Sequence, residues 1–110
     1  MNWIIDTDAG VDDAIGIVMP FVPGRYDDFK LLALTTVAGN VPLEKVNTNV
    51  GAILDLLGLP IPFFAGCDRP LIEPYVDAAD FHGQDGLGDG GLSHTLRAPQ
   101  AEHGAQALVR

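Results

Sequence analysis

A single cysteine, Cys67, stands among the 110 residues. One thiol closes no internal disulfide and supports no zinc knuckle; the expected state of Cys67 is a buried, neutral thiol. Basic residues are also scarce. Six Lys and Arg face fifteen Asp and Glu, giving a formal net charge of −9. Sequence-independent nucleic-acid binding and attachment to an anionic membrane surface both need a basic footprint, and that balance excludes them. Long apolar runs are missing too: no stretch approaches the roughly 18–20 residues of a membrane span. Met1-Asn2-Trp3-Ile4-Ile5 contains no basic residue, and Asp6 ends the apolar run, so no secretory signal is read. The cytoplasm is the expected compartment. Charged residues amount to only 19%, which argues against the high charge and low hydrophobicity of a disordered chain.

What the sequence does contain is apolar residue, 47% of the total. That suffices for a small core, since a domain of this length buries about two-thirds of its unfolded surface. Trp3-Ile4-Ile5 reads as a buried strand over 3–6. Ala14, Ile15, Ile17, Val18 and Met19 predict a helix near 12–20, stopped by Pro20 and the Pro23-Gly24 pair. Leu31 to Val37 is apolar on both faces, as a strand inside a parallel sheet requires. Leu43, Val46, Val50, Ile53, Leu54 and Leu57 recur at steps of three and four, the stripe of an amphipathic helix over 43–57, with Gly58 as its C-terminal cap. Residues 61–65 form a third strand. From Gly66 to Pro99 the sequence reads as loop, and Glu102 to Arg110 as a short helix. The alternation is βαβαβ, hence an α/β fold with a mostly parallel sheet. Such sheets bind ligands beyond the carboxyl ends of their strands.

The residues able to do chemistry fall at those ends. Asp6, Asp8, Asp12 and Asp13 lie within eight positions. Asp6 and Asp8, at i and i+2, point the same way in extended chain. Asp12 and Asp13 fall at a helix start, where free N–H groups stabilise carboxylates. Four carboxylates at one strand end repel one another unless a cation holds them, and hard oxygen ligands select Ca²⁺ or Mg²⁺ over zinc. An EF-hand is excluded, because its sixth and twelfth positions would be Val11 and Ile17. A dinucleotide fingerprint is absent. A Mg²⁺-dependent phosphatase of the haloacid dehalogenase kind, with Asp6 as nucleophile and Asp8 as acid–base, stays open on these residues. It leaves Asp12 and Asp13 unexplained.

Three strings taken together, DTDAGVDDA from Asp6, TTVAGNV from Thr35 and HGQDGLGD from His82, resemble the N-terminal third of the inosine–uridine-preferring nucleoside hydrolases. Residues 1–110 would then be the N-terminal part of a single nucleoside hydrolase-like domain, incomplete in this chain. The resemblance implies hydrolysis of the N-glycosidic bond of ribonucleosides to ribose and free base, with Ca²⁺ as cofactor and a homo-oligomeric full-length form. Asp8 resembles the carboxylate that binds calcium and acts as general base, and Asp13 the second calcium ligand. Asp12 and Asn40 resemble residues beside the ribose. Asp6 supports the carboxylates from behind, and His82 resembles the histidine of the family's HGxDG loop, a candidate catalytic group. One departure is Ala9, where the family usually has proline. Because family members are several-fold longer, the chain is expected to be inactive alone, as a fragment or one piece of a split gene. A non-catalytic relic or interaction module that keeps the first half of the fold is the other reading. His94 and His103 have no motif support and read as surface or helix residues.

Overall fold

A computed structural model describes residues 1–92 and 95–110; His94 lies outside the described residues. Three strands, β1 (Asn2–Thr7), β2 (Lys30–Thr36) and β3 (Phe63–Ala65), form one parallel sheet in the order β1-β2-β3. Between them run α1 (Val11–Val18) and α2 (Leu43–Leu57). This is the expected βαβαβ start, with boundaries displaced by a residue or two. The helix read as 12–20 instead ends at Val18 and tightens into a 3₁₀ turn, Met19–Phe21. Pro20 fits such a turn, where its missing N–H costs nothing.

The stripe of α2 does what its spacing predicts. Val46, Val50, Ile53 and Leu54 are fully or almost fully buried, and pack with Ile17 of α1, Leu31 and Leu34 of β2, and Phe63 of β3. The helix ends at Gly58, with φ 64°. A six-residue helix, α4 (Gly104–Val109), contacts β2 and β3, and Ala107 and Arg110 line a recess with Ile4, Leu32 and Phe64 on the other side of the sheet. Its first free N–H groups are met by His103, whose Nδ1 accepts from the Ala105 N–H at 3.2 Å. This residue, read as a surface or helix position, is the N-cap. Gln100 makes a single bridge to Phe64 beside β3. The opposite edge, β1, has no strand beyond it among the described residues.

Three expectations are corrected. β1 is not a buried strand: Trp3 and Ile4 are 47% and 40% exposed, because β1 is the sheet edge. Cys67 is exposed; it sits in the turn just past β3, where its carbonyl accepts the Ala38 N–H at 3.0 Å. And the stretch 66–99, read as loop throughout, contains a four-residue helix, α3 (Ala79–His82). It is too short for its apolar spacing to stand out, and glycines follow it directly.

Candidate active site

All three strands run the same way, so the loops leaving β1 and β2 emerge at one end of the sheet. The β1 loop begins at Asp8. It turns at Ala9, a fully buried residue with φ 48°, whose N–H donates to Thr7 Oγ1 at 3.0 Å. Left-handed backbone is costly for an L-residue with a Cβ. It is also inaccessible to proline, which holds φ near −65°. The Ala9 departure is therefore a different turn, and more than a change of side chain.

Gly10 caps α1, and Asp13, three residues on, accepts its N–H at 3.0 Å through Oδ2. That bond folds Asp13 back toward Asp8. Burial raises the Asp13 pKa above the usual 3.8, and the adjacent Asp8 carboxyl raises it further, against the lowering by the Gly10 N–H and Thr7. Two carboxyl groups this close favour a shared proton when no cation is present.

From β2 comes the second loop. Asn40 N–H donates to Asp8 Oδ2 at 3.1 Å. The two loops touch so closely that two glycines become steric requirements. A Cβ on Gly39 would lie 2.3 Å from Asp8 Oδ2, and one on Gly10 would lie 2.3 Å from Asn40 Nδ2 and 2.9 Å from the His82 ring. Asn40 thus lies over Gly10, beside the carboxylate pair.

His82 comes from the last turn of α3 and is buried. Its Nδ1 accepts the Val11 N–H at 3.2 Å, so the neutral ring carries its proton on Nε2. Acting as an acid from the imidazolium would need a proton on Nδ1 and would break that bond. In this geometry His82 ties the 79–82 helix to the start of α1. The glycine loop after it turns on Asp85. Burial opposes ionisation of Asp85, yet the N–H groups of Leu87 and Asp89 outweigh it and hold the carboxyl below its usual range. From α2, Lys45 and Asn49 donate to the Gln84 and Asp85 carbonyls at 2.6 Å each. A groove of about 470 Å³ lies between α2 and this loop, and its lining includes none of Asp8, Asp13, Asn40 or His82.

Asp8, Asp13, Asn40 and His82 are thus brought together at one sheet end. Asp12 is exposed in the first turn of α1. Asp6 goes elsewhere: it accepts the Thr35 hydroxyl at 2.5 Å, on the next strand. β1 ends at Thr7, so Asp6 lies within the strand and Asp8 in the loop that follows it. Tyr75 was missed. Its hydroxyl donates to the Gly39 carbonyl at 3.1 Å, and burial, then Asp77 and Asp8, push its pKa up, keeping it a donor. A lone tyrosine in a proline-flanked loop carries no sequence signal.

Two adjoining carboxylates suit a hard divalent cation such as Ca²⁺. Among the described residues no group of three acidic, histidine or cysteine side chains is poised to hold a metal, so Asp8 and Asp13 amount to part of a ligand set.

The inosine-uridine preferring nucleoside hydrolase family model matches residues 3–110. The inosine-uridine preferring nucleoside hydrolase of Crithidia fasciculata is 40% identical over 86 residues, 77% of this chain and 26% of its own length. The non-specific ribonucleoside hydrolase RihC of Klebsiella pneumoniae is 36% identical over 105 residues, covering 96% of this chain and 34% of that protein. A solved inosine-guanosine nucleoside hydrolase superposes with a TM-score of 0.86 at 37% identity, over 98% of this chain and 33% of that one. The chain therefore spans a quarter to a third of these proteins. Because the match runs nearly end to end and takes in all three loops that build the carboxylate site, the chain belongs to the inosine-uridine preferring nucleoside hydrolase family.

Proposed function

We propose that this chain is the N-terminal third of a nucleoside hydrolase, which cleaves the N-glycosidic bond of ribonucleosides to ribose and free base. The observation that carries the reading is the convergence of Asp8 and Asp13 at the strand ends, with Asn40 laid over Gly10 beside them. In the reaction a water attacks the anomeric carbon, the C–N bonding pair leaves with the base, and the water loses a proton. Asp8 takes that proton, its carboxylate held in place by the Asn40 N–H on Oδ2. Asp13 and Asp8 would hold Ca²⁺, which would keep both carboxylates ionised and supply positive charge beside the ribose hydroxyls. Asn40 and the exposed Asp12 bind ribose hydroxyls. As the base departs, the ribose passes through an oxocarbenium-like centre, as in other glycoside cleavage. The departing base takes up a proton as it leaves; His82 is the candidate group beside the site, and donating from the imidazolium would require it to give up the Val11 N–H. Asp6 braces β1 against β2 through Thr35. The protein works as a homo-oligomer in the cytoplasm.

Base release from inosine and uridine, followed as absorbance across a calcium titration, tests the reading. A protein of family length should release base and depend on calcium. Hydrolysis of p-nitrophenyl phosphate without base release would favour phosphatase chemistry, and neither activity would favour a relic.

A further inference from the structure

We propose that Tyr75 is a positioning residue for the Asp8 carboxylate, acting through the peptide group that joins Gly39 to Asn40. The inference rests on the reading of Asp8 as the working carboxylate. The Gly39 carbonyl accepts the Tyr75 hydroxyl at 3.1 Å, and the N–H of that same peptide group donates to Asp8 Oδ2 at 3.1 Å. A peptide group is planar and rigid, so a bond at its oxygen fixes the direction of its N–H. Bonds in such a series also polarise one another, so the hydroxyl strengthens the donor that meets the carboxylate.

The peptide needs an external hold. Gly39 has no side chain to pack, and no room for one, because Asp8 occupies the place of a Cβ. Within the loop Gly39 is held by a long bond, its N–H to the Val41 carbonyl at 3.3 Å, which checks the backbone freedom of glycine only in part. The next carbonyl, that of Asn40, accepts the Ala78 N–H at 2.9 Å. Residues 75–78 thus grip two successive carbonyls of the β2 loop. The surrounding segment is anchored by little else: Leu71, Ile72 and Val76 are 96%, 92% and 79% exposed, whereas Tyr75 is turned inward.

Tyr75→Phe keeps the ring and removes only the hydroxyl. In the intact protein its effect is read at two places: exchange of the Asn40 amide proton, followed by NMR, and kcat and KM for inosine at saturating calcium. Loss of one such bond is expected to speed Asn40 amide exchange about 3–10-fold. The Val11 amide, held by His82, should be unaffected, and the thermal midpoint should fall by no more than a few degrees, the worth of one hydrogen bond. The kcat should fall by about the same factor with KM changed less than about twofold, the pattern of an interaction acting on the transition state. An unchanged Asn40 amide overturns the proposal whether or not the protein turns over nucleosides. An unchanged kcat in a protein whose wild type releases base overturns it as well. So does a loss seen only in Tyr75→Leu, which would assign the effect to ring packing. Absence of base release from the wild type, with Asn40 exchange raised in Tyr75→Phe, would count against the nucleoside hydrolase reading and leave the tyrosine relay standing.

Discussion

At the scale of single residues, the site is set by contacts too close to admit alternatives. Gly39→Ala would put a methyl group 2.3 Å from Asp8 Oδ2, and the carboxylate would have to move. Turnover is therefore expected to drop by about 10²-fold or more, the usual worth of a general base, with a smaller change in thermal midpoint; base-release kinetics and calorimetry check the two parts. Ala9 makes the opposite case. Its φ of 48° is costly for alanine and free for glycine, so Ala9→Gly is expected to be neutral or to stabilise by up to about 1 kcal/mol, read by denaturant unfolding. Asp13 gives a pH dependence whose sign follows from its raised pKa. The folded, cation-free protein keeps the Asp13 proton at pH values where the unfolded chain, near 3.8, has lost it. The stability this confers is full below the unfolded pKa and disappears as pH rises through the folded one. Relative to Asp13→Asn, wild type should lose thermal stability over that window without calcium. Calcium affinity should rise over the same window, because the ion binds the ionised pair.

At the scale of elements, the sequence was most legible where one period ran long enough. The stripe of α2 and the apolar run of β2 gave these elements to within a residue or two, because both are buried against neighbours already within the chain. Elements whose surroundings the pattern does not encode were misjudged. β1 has the composition of a buried strand yet lies at an edge, and α3 has four residues, fewer than a period needs. The site divides the same way. Asp8, Asp13 and Asn40 stood out as polar groups at strand ends, where a parallel sheet gathers its loops. Asp6 sits inside β1 and accepts the Thr35 hydroxyl of the neighbouring strand, a pairing across the sheet that the sequence spacing does not encode. Tyr75 acts through a backbone carbonyl and leaves no pattern. One buried polar residue joins the two legible parts: Asn49 of α2 is fully buried and holds the Asp85 carbonyl. Asn49→Ala would leave that carbonyl without its donor, at an expected cost of about 1–3 kcal/mol, measured by chemical denaturation, with faster amide exchange at Leu87 and Asp89.

At the scale of the whole molecule, apolar surface stays exposed on the sheet and on α1. Trp3 and Ile4 on β1, Leu32 on β2 and Ile15 on α1 are all between 40% and 62% exposed, and β1 offers unpaired backbone groups along one side. The 110-residue chain by itself is expected to associate or aggregate; light scattering coupled to gel filtration would show it, and a monodisperse monomer with a cooperative thermal transition would contradict it.

The central claim is that Asp8 serves as the base of a nucleoside hydrolase, and it is tested most directly by base release from inosine and uridine for wild type and Asp8→Asn at saturating calcium, in a protein of family length. Asparagine keeps the shape of the side chain and an oxygen to accept the Asn40 N–H, but it cannot take the proton. The account predicts a folded variant with turnover lower by about 10²–10⁴-fold, and weaker calcium binding that added calcium overcomes without restoring the rate. Near-normal turnover by Asp8→Asn once calcium is saturating would contradict it.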